Sequence, residues 1–430
     1  MTTNPNVGKT AFRPMAICCG LFFILGFITW ANGTLIPFLK IACNLETDLQ
    51  AFFVTFASYI AYFFLALPSS VIIKKIGFQN GLVVSLIILG LGSLIFIPAA
   101  DNRSYGLFLT GIFIQGSGMA LLQTAVNPYL SIIGPIDSAA QRISIAGFFN
   151  KSAGIIVPIL FGTLFLKDAQ KVTAKLEATT DLVQKNAILD DLLQRVHTPY
   201  ISLAIIFVAF AIFLKFTHLP EVDVDAEEET SAESGTVAAK KTSIFQYPHL
   251  FLGALAIFFC VAVEVMAGDI IGVYARELKV DPFFTTYATA FTLACMLIGY
   301  IIGIISIPRF VSQQMALRIC TIIGITFTVI SVFTTGTTSF IFVALLGIAN
   351  SLMWPAIFPL GIKGLGKFTK TGSAIMIMGI AGGAIWPLIY GLLKDHLHID
   401  FQHAFLYAMV PGYLYIMYFS IAGHKVGKTN

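Results

Sequence analysis

Runs of about twenty apolar residues, parted by short polar breaks, recur along the whole chain. They fall near 14–40, 47–73, 79–99, 105–133, 142–166 and 199–217, and again near 248–275, 284–307, 314–334, 339–362, 371–394 and 401–422. Each is long enough to cross a hydrocarbon core of about 30 Å as a helix. Between the sixth and seventh runs lies EVDVDAEEETSAESGTVAAKK (221–241), acidic and without aromatics, which reads as a solvated linker. The pattern predicts an all-α integral membrane protein with twelve transmembrane helices. It divides into six-helix bundles at 1–220 and 246–430, joined by a linker at 221–245.

The two halves echo each other. Gly154-x3-Pro158-x3-Gly162 in the fifth run recurs as Gly383-x3-Pro387-x3-Gly391 in the eleventh. KKIGFQNGL (74–82) after the second run resembles PRFVSQQMAL (308–317) after the eighth, and NPYLSIIG (127–134) resembles FPLGIKGLG (358–366). Three matches at corresponding places argue for duplication, and two pseudo-symmetric six-helix bundles around a midplane site are the architecture of major facilitator transporters. Placing both termini on one side collects fifteen Lys and Arg there, against five on the other once the long 167–198 loop is set aside. Both termini are therefore expected in the cytoplasm.

Composition agrees: 57% of residues are hydrophobic and 11% charged, against about 25% charged in soluble domains. The formal charge of +4 is spread over short loops, which excludes a nucleic-acid partner. The six cysteines form no C-x-x-C pair and read as small buried hydrophobes. The first apolar run continues through Trp30 to Phe38 with no clear A-x-A-like site, so no cleavable signal is expected.

Polar residues inside the spans carry the candidate chemistry. Gln115, Met119, Gln123 and Asn127 are spaced i, i+4, which puts three amides on one face of the fourth span. Lipid offers them no partner, so this face looks onto protein or water. Amides serve as helix–helix glue, or they line a cavity for a polyhydroxyl solute, because an amide both donates and accepts. The seventh span holds two acids, Glu264 and Asp269. Five residues apart, they point about 140° from each other on a regular helix, so both face one cavity only if the helix loosens at Gly268. Intramembrane acids are functional candidates, with pairing to Arg276 the plainer fate for Asp269. Lys151 is the matching cation, about ten residues or roughly 15 Å into the fifth span, too deep for its stem to reach water unaided. By estimated depth Glu264 is its nearer partner. Of three tryptophans, Trp354 beside Asn350 is the best placed to offer an indole face to a sugar ring.

ANGTLIPFLK, LLQTAVNPYL, QRISIAGFFNKSAG, VAVEVMAGD and SLMWPAIFPLGIKGLG together resemble the fucose–galactose–glucose:proton symporter family of the major facilitator superfamily, and most of all its glucose/galactose branch. The resemblance implies the twelve-helix fold, hexose substrates and cation-coupled import, with residence in a bacterial inner membrane. The family's Asn-Asp-x-Leu-x-Pro motif of the first span matches at Asn32, but Gly33 stands where the fucose symporters have aspartate. Their span-four glutamate is Gln123 here, as in the glucose/galactose branch, and their span-five asparagine matches Asn150.

The expected function is therefore secondary active import of a hexose by proton or sodium symport. The substrate-binding candidates are Asn32, Gln115, Gln123, Asn127, Asn150, Asn350 and Trp354; the ion-coupling candidates are Lys151, Glu264 and Asp269. No cofactor is expected beyond the coupling cation, and the chain is expected to act as a monomer in the bilayer. A uniporter, or a symporter for a deoxy- or amino-sugar, is the alternative. An intramembrane enzyme is disfavoured: the seven histidines lie in loops or near span ends, and neither H-E-x-x-H nor G-x-S-x-G occurs.

Overall fold

The computed structural model describes residues 12–134, 138–165, 172, 175–176, 178–217 and 242–427. Most of the linker (221–241) therefore lies outside the described residues, as do the side chains of Asn32, Gly33, Pro158 and Gly162. Among the described residues the protein is all-helical, with twelve helices long and apolar enough to span a bilayer. In chain order these are α1 Phe12–Ala42, α2 Asp48–Ile76, α3 Phe78–Asp101, α4 Tyr105–Ile132, α5 Ala139–Phe165 and α6 His197–Phe216. The second half comprises α7 Pro248–Gly268, α8 Ala288–Ser306, α9 Gln313–Val332, α10 Gly336–Ile362, α11 Gly366–His396 and α12 Phe401–Ile421. The 167–198 segment, expected as a loop, contains a helix at Leu182–Gln194 that Asp181 caps through its side chain. Its charged residues had masked a helical period.

Packing repeats the sequence duplication. In the first half α3 packs on α4 and α6, α1 on α5, and α2 on α4; in the second half α9 packs on α10 and α12, α7 on α11, and α8 on α10. Each pairing in one half has its counterpart six helices on. The halves then meet at two crossings that are also counterparts, α5 on α8 and α2 on α11. The repeated glycines explain why these crossings are close. A Cβ on Gly154 of α5 would run into Leu293 of α8 and the Trp30 ring. One on Gly383 of α11 would run into Tyr59 of α2 and Val265.

Outward faces carry exposed Phe63, Phe64, Leu91, Ile205, Ile301 and Ile305. Such a belt is unfavourable in water and natural against lipid. Inside, Arg142 is buried and donates to the carbonyls of Leu130 (2.8 Å), Ser131 (2.8 Å) and Gly134 (3.0 Å), where α4 ends. It satisfies acceptors that a helix C-terminus leaves free.

Besides a break at Phe52 near the start of α2, the interruptions among the described residues fall in the second half. α7 ends at Gly268 and the chain resumes as a short helix, Ile271–Glu277. α10 is interrupted at Leu352, and α11 passes through a 3₁₀ turn at Gly379–Ala381. Breaks at membrane depth need other donors and acceptors to satisfy freed backbone groups. At the α7 break Thr292 donates to the Ala267 carbonyl and Thr289 to that of Gly268, both at 2.8 Å.

Candidate substrate and coupling site

Between the halves lies a cavity of about 80 Å³, lined by residues of α1, α2, α4, α5, α7, α8, α10 and α11. Its polar lining is Thr29, Tyr59, Tyr62, Gln123, Asn150, Lys151, Glu264 and Tyr300, with Trp354 among the apolar members. Lys151 of α5 and Glu264 of α7 meet across it, Nζ to Oε1 at 2.5 Å. Their side chains are 7% and 12% exposed, so the pair joins the two halves in near-complete isolation from solvent. The ammonium also stands 4.3 Å from the centre of the Trp30 ring, a cation–π contact worth about 2 kcal/mol when desolvated. The Trp30 indole donates to Asn150 Oδ1 at 3.1 Å, and Asn150 in turn donates to the Phe22 carbonyl at 3.2 Å. Asn150 thus orients the ring on which its chain neighbour Lys151 rests.

Gln123 also lines the cavity, donating to the Tyr62 hydroxyl at 2.9 Å. The rest of its amide stripe does not. Gln115 donates to Ser93 of α3 at 2.8 Å, and Asn127 is fully buried against Gln123. Asn350, also buried, bonds the Val263 carbonyl (3.2 Å) and the Tyr413 hydroxyl (2.8 Å). Gln115 and Asn350 link helices and Asn127 bonds back within α4, so none of the three faces the cavity, because a helix face meets different neighbours along its length. Trp354 stacks on Phe358, with centroids 5.9 Å apart. Trp386 donates to the Ala408 carbonyl and packs edge-on against Phe258 and Phe259, away from the cavity. The Asn32 side chain lies outside the described residues.

The two acids are separated although the helix ends at Gly268, just before Asp269. Glu264 faces the cavity; Asp269 is not among its lining residues and is only 2% exposed. Arg276 does not pair with Asp269. It binds both carboxylate oxygens of Asp48 at 2.9 Å instead. Asp48 also receives Lys40 and, at 2.7 Å, Lys394. Asp395 accepts the Leu49 amide at 3.2 Å. This cluster ties the α1–α2 corner to the ends of α7 and α11. At the opposite face Lys74 donates to Thr371 (3.1 Å) and Gln141 to the Ile304 carbonyl (2.8 Å). The halves are thus bridged on both sides of the cavity.

Tyr59, Tyr62 and Tyr300 are site residues that sequence reasoning missed. The i, i+3 pair in α2 was the available signal, hidden among 14 Tyr and 39 Phe.

A family model for the Major Facilitator Superfamily matches residues 18–391. The chain belongs to that superfamily. Among superfamily members it is 35% identical to a glucose/galactose transporter of Brucella abortus over 94% of this chain and 92% of that one. It is 31% identical to the L-fucose-proton symporter of Escherichia coli, over 89% and 87% respectively. A crystal structure of the Escherichia coli fucose:proton symporter superposes with a TM-score of 0.76 at 28% identity, covering 96% of this chain and 98% of that one. Two six-helix bundles, a cavity between them and interrupted helices beside it are thus features of a multi-pass superfamily member.

Proposed function

We propose that the protein imports a hexose of the glucose/galactose type by proton symport through alternating access. The observation that carries this reading is the Lys151–Glu264 pair, a cation of one half held against an acid of the other in the wall of an amide- and aromatic-lined cavity. Relatives named for glucose, galactose and L-fucose-proton transport over nine-tenths of the chain support the substrate class and the coupling. In this reading the indole of Trp354 offers a sugar ring a flat apolar face, while Gln123 and Asn150 supply donors and acceptors to its hydroxyls. The coupling set is Lys151, Glu264 and Asp269. An ionised carboxylate drawn to Lys151 holds the halves in one arrangement, and loading of the acids by the cation shifts the balance that sugar binding then completes.

The same proposal takes residues 1–220 and 246–430 as the two moving units, with 221–245 as the connection between them. Both termini face the cytoplasm, the chain resides in a bacterial inner membrane as a monomer, and transport without chemical conversion is its whole activity. A uniporter is the second reading, favoured by the tightness of the 2.5 Å bridge, which would then be a permanent strut. Uptake of labelled glucose, galactose, fucose and N-acetylglucosamine into proteoliposomes tests the substrate class. Glucose or galactose entering fastest is expected. Exclusion of both, with fucose or N-acetylglucosamine admitted, would overturn it.

A further inference from the structure

Asp269 is a buried acid between the helices that the cavity does not explain. It follows the last residue of α7, is 2% exposed, and both of its carboxylate oxygens lack a hydrogen-bond partner. The titratable and charged groups around it are Glu264 on its own helix, Lys151 from α5 and Tyr59 from α2. The Tyr59 hydroxyl faces it short of hydrogen-bond geometry. Lys151 is already taken by Glu264, at 2.5 Å. From α8, Thr289 and Thr292 point their hydroxyls at the neighbouring backbone carbonyls. On the α1 side, the Trp30 ring packs so tightly on Gly268 that a Cβ there would overlap it.

A carboxylate buried with its nearby cation already paired elsewhere and no hydrogen bond in place is strongly unfavourable, whereas a carboxylic acid there is tolerable. The closed arrangement therefore suits Asp269 with a proton on it. Its cover comes from the other half: Trp30 and Tyr59 belong to α1 and α2, while Asp269 belongs to the second bundle. Separation of the halves withdraws that cover and gives the acid access to water, where the carboxylate is stable.

We infer that Asp269 is the binding site of the coupled proton, loaded while the halves close over it and released when Trp30 and Tyr59 withdraw. This rests on the sugar:proton reading and divides the labour within its coupling set. Glu264 is the partner of Lys151 in the closed arrangement, and Asp269 is the group that carries the coupled proton through closure. Closing over an ionised Asp269 would bury an unpaired charge, so sugar-driven closure draws a proton in with it.

The test is proton uptake on sugar binding. Purified full-length protein in weak buffer with a pH-sensitive dye receives D-glucose or D-galactose, whichever the wild type accumulates. Wild type is expected to take up protons, Asp269→Asn none, and Asp269→Glu to restore uptake at a shifted pH. Undiminished uptake by Asp269→Asn overturns the proposal. A second readout is independent of sugar and of how the variant folds. The infrared spectrum of the wild type near neutral pH should contain the carbonyl band of a protonated, buried carboxyl, and lack of that band overturns the proposal. A wild type that moves no hexose at all would refute the functional reading instead, and the infrared band would still report on Asp269.

Discussion

Replacing Lys151 with alanine leaves Glu264 facing Val261, Val265 and the aromatic walls of the cavity without its counter-charge. Removing one partner of a buried pair costs about 3–5 kcal/mol, most of it the penalty of the stranded charge. Here both side chains are almost wholly shielded, 7% and 12% exposed, and the lysine also loses its contact with Trp30. Opening the cavity lets Glu264 reach water, so the penalty falls mainly on the closed arrangement. Every transport cycle passes through closure. At 1.4 kcal/mol per decade, a 3 kcal/mol penalty predicts a roughly 100-fold loss of gradient-driven sugar accumulation for Lys151→Ala. The double variant Lys151→Met with Glu264→Gln removes both charges and keeps volume. It should recover thermal stability, since replacing a buried pair outright is often neutral, while accumulation stays low. Wild-type accumulation by Lys151→Ala in proteoliposomes would refute the reasoning.

Other outcomes follow from particular contacts. Gln123→Ala leaves the Tyr62 hydroxyl without its 2.9 Å partner and strips an amide from the cavity. A loss of about 1–3 kcal/mol should appear as a roughly 5- to 100-fold rise in the half-saturating sugar concentration, and an unchanged value would remove Gln123 from the binding set. Gly268→Ala places a methyl where the Trp30 ring sits. Overpacking of this kind costs about 1–3 kcal/mol, so the melting temperature should fall, and a wild-type melting curve would show that the ring moves freely. Asp48→Asn leaves Lys40, Arg276 and Lys394 around an uncharged side chain. Maleimide labelling of a cysteine introduced at buried Ala51 should then speed up several-fold, and equal rates would mean that this cluster does not hold the halves together.

Much of the fold was legible because lipid imposes the same demand on every span. The twelve observed helices fall on the twelve apolar runs, and the repeated glycines mark the crossings where the halves touch. The interruptions were harder to foresee. Gly268 raised the possibility of a break in α7, whereas the break of α10 at Leu352 has its local signal in Pro355, which has no N–H to bond the Ser351 carbonyl. Reading of the site was uneven for a related reason. Periodicity places side chains on one helix but is silent about the helix opposite. It put Gln115, Gln123 and Asn127 on one face, yet Ser93 of α3 engages the first while the cavity receives the second. Charge was more informative than amides. A lone lysine and two acids in apolar spans have few ways to be satisfied, and estimated depth already favoured Glu264 as the partner of Lys151.

The central claim, hexose import driven by a proton gradient, is tested most directly by labelled glucose and galactose uptake into proteoliposomes with pH and sodium gradients imposed independently. The account predicts transient accumulation above equilibrium when the outside is acidic, with or without sodium. Simple equilibration under every gradient, or accumulation that only sodium drives, would contradict it.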